Sequence, residues 1–143
     1  MTKLRSWPLI SILLLLLGCA TVPITGRSQL SMIKNSELIP MSFQQYDEVL
    51  KTNEISENNM QATLIKKVGV KIQKAVEAYL EKEGQSEVLN DFEWEFNLIE
   101  DKTVNAWCMP GGKVAFYTGI LPVCQGEKGI AVVMGHEIAH AVD

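Results

Sequence analysis

The chain has 143 residues, 47% of them hydrophobic and 21% charged, with a formal net charge of −4 at pH 7. That is one domain's worth of chain with a modest core. The acidic balance argues against a nucleic-acid partner and against a polybasic membrane patch.

The first 18 residues read as a targeting segment. Lys3 and Arg5 form a basic start, and Leu9 to Leu17 form an apolar run interrupted only by Ser11. The run is far shorter than the roughly 20 residues a membrane-spanning helix needs. It closes on Leu16-Leu17-Gly18-Cys19, which resembles a lipobox, with Cys19 as the lipidated first residue of the mature chain. The alternative is an ordinary signal peptide in which Cys19 is incidental. Removal of residues 1–18 takes away two basic residues and leaves 11 against 17 acidic ones, a net charge of −6. Of the three cysteines, Cys108 and Cys124 then remain as an even pair. They could form a disulfide in an oxidising compartment or stay as two buried thiols.

Residues 19–35 hold Pro23 and Gly26 and read as a tether. From Ser36 to Lys51 a weak helical period runs through Leu38, Phe43, Tyr46 and Leu50, with Pro40 compromising its first turns. Asn53 to Asn59 is polar and predicts a loop. Met60 to Glu83 predicts the clearest helix, because Leu64, Val68, Ile72, Val76 and Leu80 recur at i+4 and Gly84 follows as a stop. Its Lys66, Lys67, Lys71, Lys74, Glu77 and Glu81 are expected in solvent.

The period then changes to two. Phe92, Trp94, Phe96 and Leu98 alternate with Glu93, Glu95 and Asn97, which predicts a strand with one buried face. Thr103 to Met109 and Lys113 to Thr118 predict two more strands, paired as a hairpin through Pro110-Gly111-Gly112. Gly119 to Cys124 reads as a short apolar connection, and Gly126 opens a last helix. Helices, then a small antiparallel sheet with a hairpin, then a helix make an α+β fold. A sheet edge beside the last helix offers an extended polypeptide somewhere to lie by backbone hydrogen bonds. Val114, Ala115 and Phe116 are the candidates for that edge. The alternative is that their strand merely completes the core.

The last helix carries His136-Glu137-Ile138-Ala139-His140, and these are the only two histidines in the chain. On a helix, H-E-x-x-H places two imidazoles a turn apart on one face, where they can hold one Zn²⁺. Glu137 beside the first ligand is then positioned as general base toward a zinc-bound water. Ala131, Val132, Val133, Met134, Ile138, Ala139, Ala141 and Val142 surround the motif and predict a helix buried nearly all round. Burying His136, Glu137 and His140 without partners would cost about 1–3 kcal/mol for each polar group. A metal would relieve that cost. A catalytic zinc site needs three protein ligands, and these two histidines supply only part of it.

Two stretches, Asn105 to Pro122 around Pro110-Gly111-Gly112 and Gly135 to Ala141 around the His-Glu pair, together resemble the M48 family of zinc metallopeptidases. The start at Cys19-Ala20-Thr21-Val22-Pro23-Ile24-Thr25-Gly26-Arg27 is similar to the bacterial lipoprotein branch of that family. The resemblance implies a zincin-like fold, with His136 and His140 as zinc ligands and Glu137 as base. It also implies a third ligand, a Glu on a later helix beyond Asp143. Asp143 itself sits on the same helix as His140 and too close in sequence to complete the site. Residues 36–143 are therefore expected to be the N-terminal part of a metallopeptidase domain whose C-terminal part is missing. The implied function is a metalloendopeptidase of the bacterial cell envelope acting on misfolded proteins. It would be lipid-anchored through Cys19 at the periplasmic face or outer membrane. The alternative is a lipid-anchored binding or chaperone-like module with an incomplete, inactive metal site.

Overall fold

The computed structural model describes residues 19–21, 28–30, 35–56 and 59–142. The predicted signal segment, residues 1–18, lies outside the described residues. Within the predicted tether, β1 (Cys19–Thr21) and β2 (Ser28–Leu30) pair antiparallel.

Helix α1 (Asn35–Thr52) runs through Pro40 rather than stopping there. Pro40 lies early in the helix, so it forfeits one backbone bond near a terminus, and its ring is exposed to solvent. Helix α2 (Met60–Lys82) starts on an N-cap, where Asn59 Oδ1 accepts from the Ala62 N–H at 2.7 Å. It ends at Gly84, whose φ of +70° is the left-handed stop that a side chain resists. Ala62, Ile65, Val68, Gly69 and Leu80 form its buried face, while the predicted charged face is exposed. Gly69 faces Phe96, and a Cβ there would collide with the phenyl ring. Glycine thus lets the helix sit close on the sheet.

The sheet contains β3 (Glu95–Ile99), β4 (Ala106–Met109) and β5 (Lys113–Tyr117) in the order β3-β5-β4. The predicted hairpin is present as the antiparallel pair β4–β5, and its turn places Gly111 and Gly112 at φ of +88° and +84°. The sheet itself is mixed rather than antiparallel, because β3 pairs with β5 in parallel. The reason is geometric. The chain reverses between β3 and β4, reverses again at the Gly-Gly turn, and inserts β5 between the two earlier strands. The α+β class holds.

Period two divides the sheet residues cleanly between two layers. Phe96, Leu98, Ala106, Val114 and Phe116 belong to one core with α2 and the last helix. Ile99, Ala115, Trp107, Met109 and Tyr117 belong to a second core around Tyr46 of α1. The predicted polar face of β3 is therefore covered: Asn97 Nδ2 donates to the Tyr46 hydroxyl at 3.1 Å. Phe92 and Trp94 precede the strand; Phe92 packs tilted against Trp94, which stacks on Phe96.

The predicted apolar connection after β5 is helical. It forms a 3-10 turn (Thr118–Ile120) and then a single turn, α3 (Leu121–Cys124), before α4 (Glu127–Val142). Lys67 and Lys71 of α2 both bind the Glu127 carboxylate, at 3.0 and 2.6 Å. They tie the first turn of α4 to α2.

Two outcomes follow from these contacts. The Tyr46 hydroxyl donates to the Val114 carbonyl at 3.0 Å from a fully buried position. Tyr46→Phe leaves that carbonyl and the Asn97 amide short of a partner, so urea denaturation should show a loss of about 1–2 kcal/mol. The two lysines hold the Glu127 carboxyl below its ordinary value of 4.5. A carboxyl with a depressed folded pKa stabilises the protein above its unfolded pKa and loses that contribution as pH falls through the folded one. Glu127→Gln should therefore lower the melting temperature at neutral pH, and the difference from wild type should begin to shrink below pH 4.5 and vanish once the pH falls under the lowered folded value.

Candidate active site

Helix α4 buries a single stripe, Ile130, Met134, Ile138 and Val142, spaced every four residues. The rest of the helix is not buried. Val132 is 73% exposed, and Ala139, His136 and His140 are exposed as well. The expectation of a helix buried all round fails because only one side meets the sheet and α2. The argument that a metal relieves the burial of the histidines fails with it.

The local geometry carries the metal reading instead. His136 Nε2 and His140 Nε2 lie 3.1 Å apart, with ring centroids at 4.5 Å and the rings nearly perpendicular. A tetrahedral ion about 2.0–2.1 Å from each imidazole nitrogen would separate them by about 3.3 Å. The i, i+4 spacing has thus brought both donors to chelating distance without tertiary help. Neutral imidazoles suit a borderline divalent metal. Among the described residues no group of three or more His, Cys, Asp or Glu side chains converges. Asp143 and the Glu expected after it lie outside the described residues.

Glu137 points to a different neighbourhood. It is half-buried, and its charge reaches Cys108 on β4, the strand on which α4 packs. Burial first, and the Glu137 charge second, push the Cys108 thiol up to about 12. Cys108 therefore stays protonated at neutral pH and is no nucleophile. Cys108 and Cys124 are both free thiols, so the disulfide candidate is not realised.

Val114, Ala115 and Phe116 cannot form a substrate edge. They sit on the central strand, hydrogen-bonded by β3 on one side and β4 on the other, and all three are 0% exposed. The outer side of β3 is partly closed too. Ile55 bridges Ile99, the Ser56 N–H donates to Leu98 O at 2.8 Å, and the Glu100 N–H donates to Glu54 O at 2.9 Å. Among the described residues the free edge belongs to β4, beside the histidine helix. No local signal marked it, since Ala106-Trp107-Cys108-Met109 and Val114-Ala115-Phe116-Tyr117 are equally uncharged. A cavity of about 390 Å³ lies elsewhere, between α1 and residues Asn90 to Glu93. No described helix is long and apolar enough to cross a membrane.

Residues 56–143 match the family described as peptidase family M48. A mitochondrial metalloendopeptidase OMA1 of Schizosaccharomyces pombe is 52% identical over 54 residues, covering 38% of this chain and 16% of the relative. The mitochondrial metalloendopeptidase OMA1 of Bos taurus is 28% identical over 123 residues, covering 84% of this chain and 22% of the relative. A putative beta-barrel assembly-enhancing protease of Vibrio cholerae is 44% identical over 45 residues, 32% of this chain and 9% of the relative. The chain thus spans less than a quarter of the length of these relatives. No solved structure matches it. The location expected from the chain's start, a bacterial cell envelope, is overturned by the fission-yeast and bovine relatives, which are named as mitochondrial proteins. The family is resolved on the residues that carry the histidine pair, the Gly-Gly hairpin and the free edge: this chain belongs to peptidase family M48.

Proposed function

We propose that this chain forms the zinc-binding half of a metalloendopeptidase site that cuts peptide bonds in polypeptides. The observation that supports it most is the pair of Nε2 atoms 3.1 Å apart on one helix face, with Glu137 between them in sequence and within electrostatic reach of Cys108 on β4. His136 and His140 would hold the metal, and a carboxylate supplied from beyond residue 143 would complete it. Zinc, when bound, supplies a Lewis acid for the scissile carbonyl and a field in which water loses a proton more readily. The remaining chemistry falls to the chain's own residues. Glu137 takes the proton from the attacking water and holds it for the departing amine. The backbone of β4 holds the substrate extended and aligned, so that one carbonyl is presented to the histidine face.

The alternative is a binding module with an incomplete site. It is favoured only by the two-ligand count among the described residues. A lipid on Cys19, at the end of the apolar run from Leu9 to Leu17, is proposed as the membrane attachment.

Both proposals have direct tests. Glu137→Gln in the full-length protein keeps shape and removes the base, so casein cleavage should fall about 10²–10⁴-fold in kcat. Its zinc content should not change, whereas His136→Ala should lose zinc and activity together. Cleavage by the Gln variant at the wild-type rate would remove Glu137 from the mechanism; wild type that cleaves nothing would favour the binding module. Cys19→Ser should move the protein out of the carbonate-washed membrane fraction, and retention there would show that Cys19 is not the anchor.

A further inference from the structure

The free edge of β4 has a fixed polarity of backbone and side chain. The Tyr117 N–H donates to Asn105 O at 3.1 Å, and Trp107 faces Ala115 across the pair. Antiparallel alternation then directs the N–H and C=O groups of Ala106 and Cys108 away from β5, toward the open side. Natural edge strands are usually blunted by charge, proline or a bulge. This one carries none of these: it is Ala106-Trp107-Cys108-Met109, in register with β5 throughout.

Side chains alternate between its two faces. Ala106 and Cys108 turn toward α4, and Trp107 and Met109 turn toward α1. Trp107 is held from behind. Its ring meets Tyr46 edge-on at 5.7 Å, and its Nε1 donates to the Tyr117 hydroxyl at 3.3 Å. Trp107 and Met109 nevertheless remain partly exposed. The result is an uncharged shelf on the α1 face, beside a row of open backbone groups on a strand whose other face the Glu137 charge reaches at Cys108.

Resting on the peptidase reading above, we infer that the substrates are extended, apolar-alternating polypeptide segments, and that Trp107 and Met109 select the residues on one face of the bound strand. A strand added to β4 places every second side chain opposite Trp107 and Met109, within cross-strand contact distance. An apolar side chain there loses water against the indole and thioether. An acidic one loses its hydration, and Lys113, which faces Met109 across the pair, is already engaged by Glu93 and Glu95. The shelf therefore discriminates by hydrophobicity in one phase of the strand. The other phase, opposite the small Ala106 and Cys108, remains tolerant.

The test is peptide binding by the full-length protein carrying Glu137→Gln, read by fluorescence anisotropy. One labelled peptide alternates Ser with Phe and Leu, a second alternates Ser with Asp, and a third is the apolar peptide N-methylated along its backbone. The apolar peptide should bind at least about tenfold more tightly than the acidic one, and N-methylation should abolish binding. Trp107→Ala should bring the two affinities close together. Because Trp107 supports Tyr46, that variant could be lost to misfolding. Met109→Lys supplies the independent reading: it should raise affinity for the acidic peptide, a gain that misfolding does not produce. Unchanged preference in the Lys variant would overturn the inference, and so would full binding of the N-methylated peptide. Casein cleavage by wild type without any peptide preference would overturn it while the peptidase reading stands. Preference without cleavage would do the reverse.

Discussion

The structure depends on one strand having no solvent side. In β5, Lys113, Val114, Ala115 and Phe116 are all buried, and both backbone edges are paired. A strand in that position must satisfy two layers at once. Val114 and Phe116 fill the core with α2 and α4, while Ala115 leaves room for Tyr46 on the other side. Even the lysine is accommodated. Its ammonium lies 3.6 Å from Glu93 and 3.3 Å from Glu95, and 4.6 Å above the ring of Phe43. A buried cation needs such company, because an unpaired one would cost several kcal/mol.

From that strand the geometry of the site follows in order. The Gly-Gly turn lays β4 against β5, so β4 takes the outer position. Helix α4 packs on β4 through its one apolar stripe, and the two lysines of α2 hold its first turn. The stripe fixes the rotation of the helix. Ile138 points inward, so Glu137 is carried to the margin by the strand and His136 and His140 to the open side. The membership in family M48 rests on the same segments.

The relation between the histidines is local, whereas the relation between Glu137 and the sheet edge is tertiary. The imidazoles are four residues apart on one helix, and their 3.1 Å separation needs nothing from the rest of the chain. The Glu137 charge reaches Cys108 only because a hairpin some 30 residues upstream was folded back beneath the helix. A helical motif can thus name its metal donors, but it cannot name the strand a substrate would lie along.

By itself the sequence determined the periods and the punctuation: the i+4 row of α2, the alternation of the strands, the Gly-Gly hairpin, and the His-Glu-His constellation with its family. These are short-range consequences of steric and hydrophobic pattern, readable without neighbours. The tertiary structure alone decided the order of strands, and with it which edge stays open. Two strands of a hairpin are equally good edges until a third, here β3, pairs with one of them, and nothing local in Val114-Ala115-Phe116 or Ala106-Trp107-Cys108 announces that choice. It also decided that α4 is covered on one side only. Its composition is apolar all round, but burial depends on what packs against each face, and the described residues bury fully only the stripe through Ile130, Met134, Ile138 and Val142, with Ala131 and Val133 partly covered at its side.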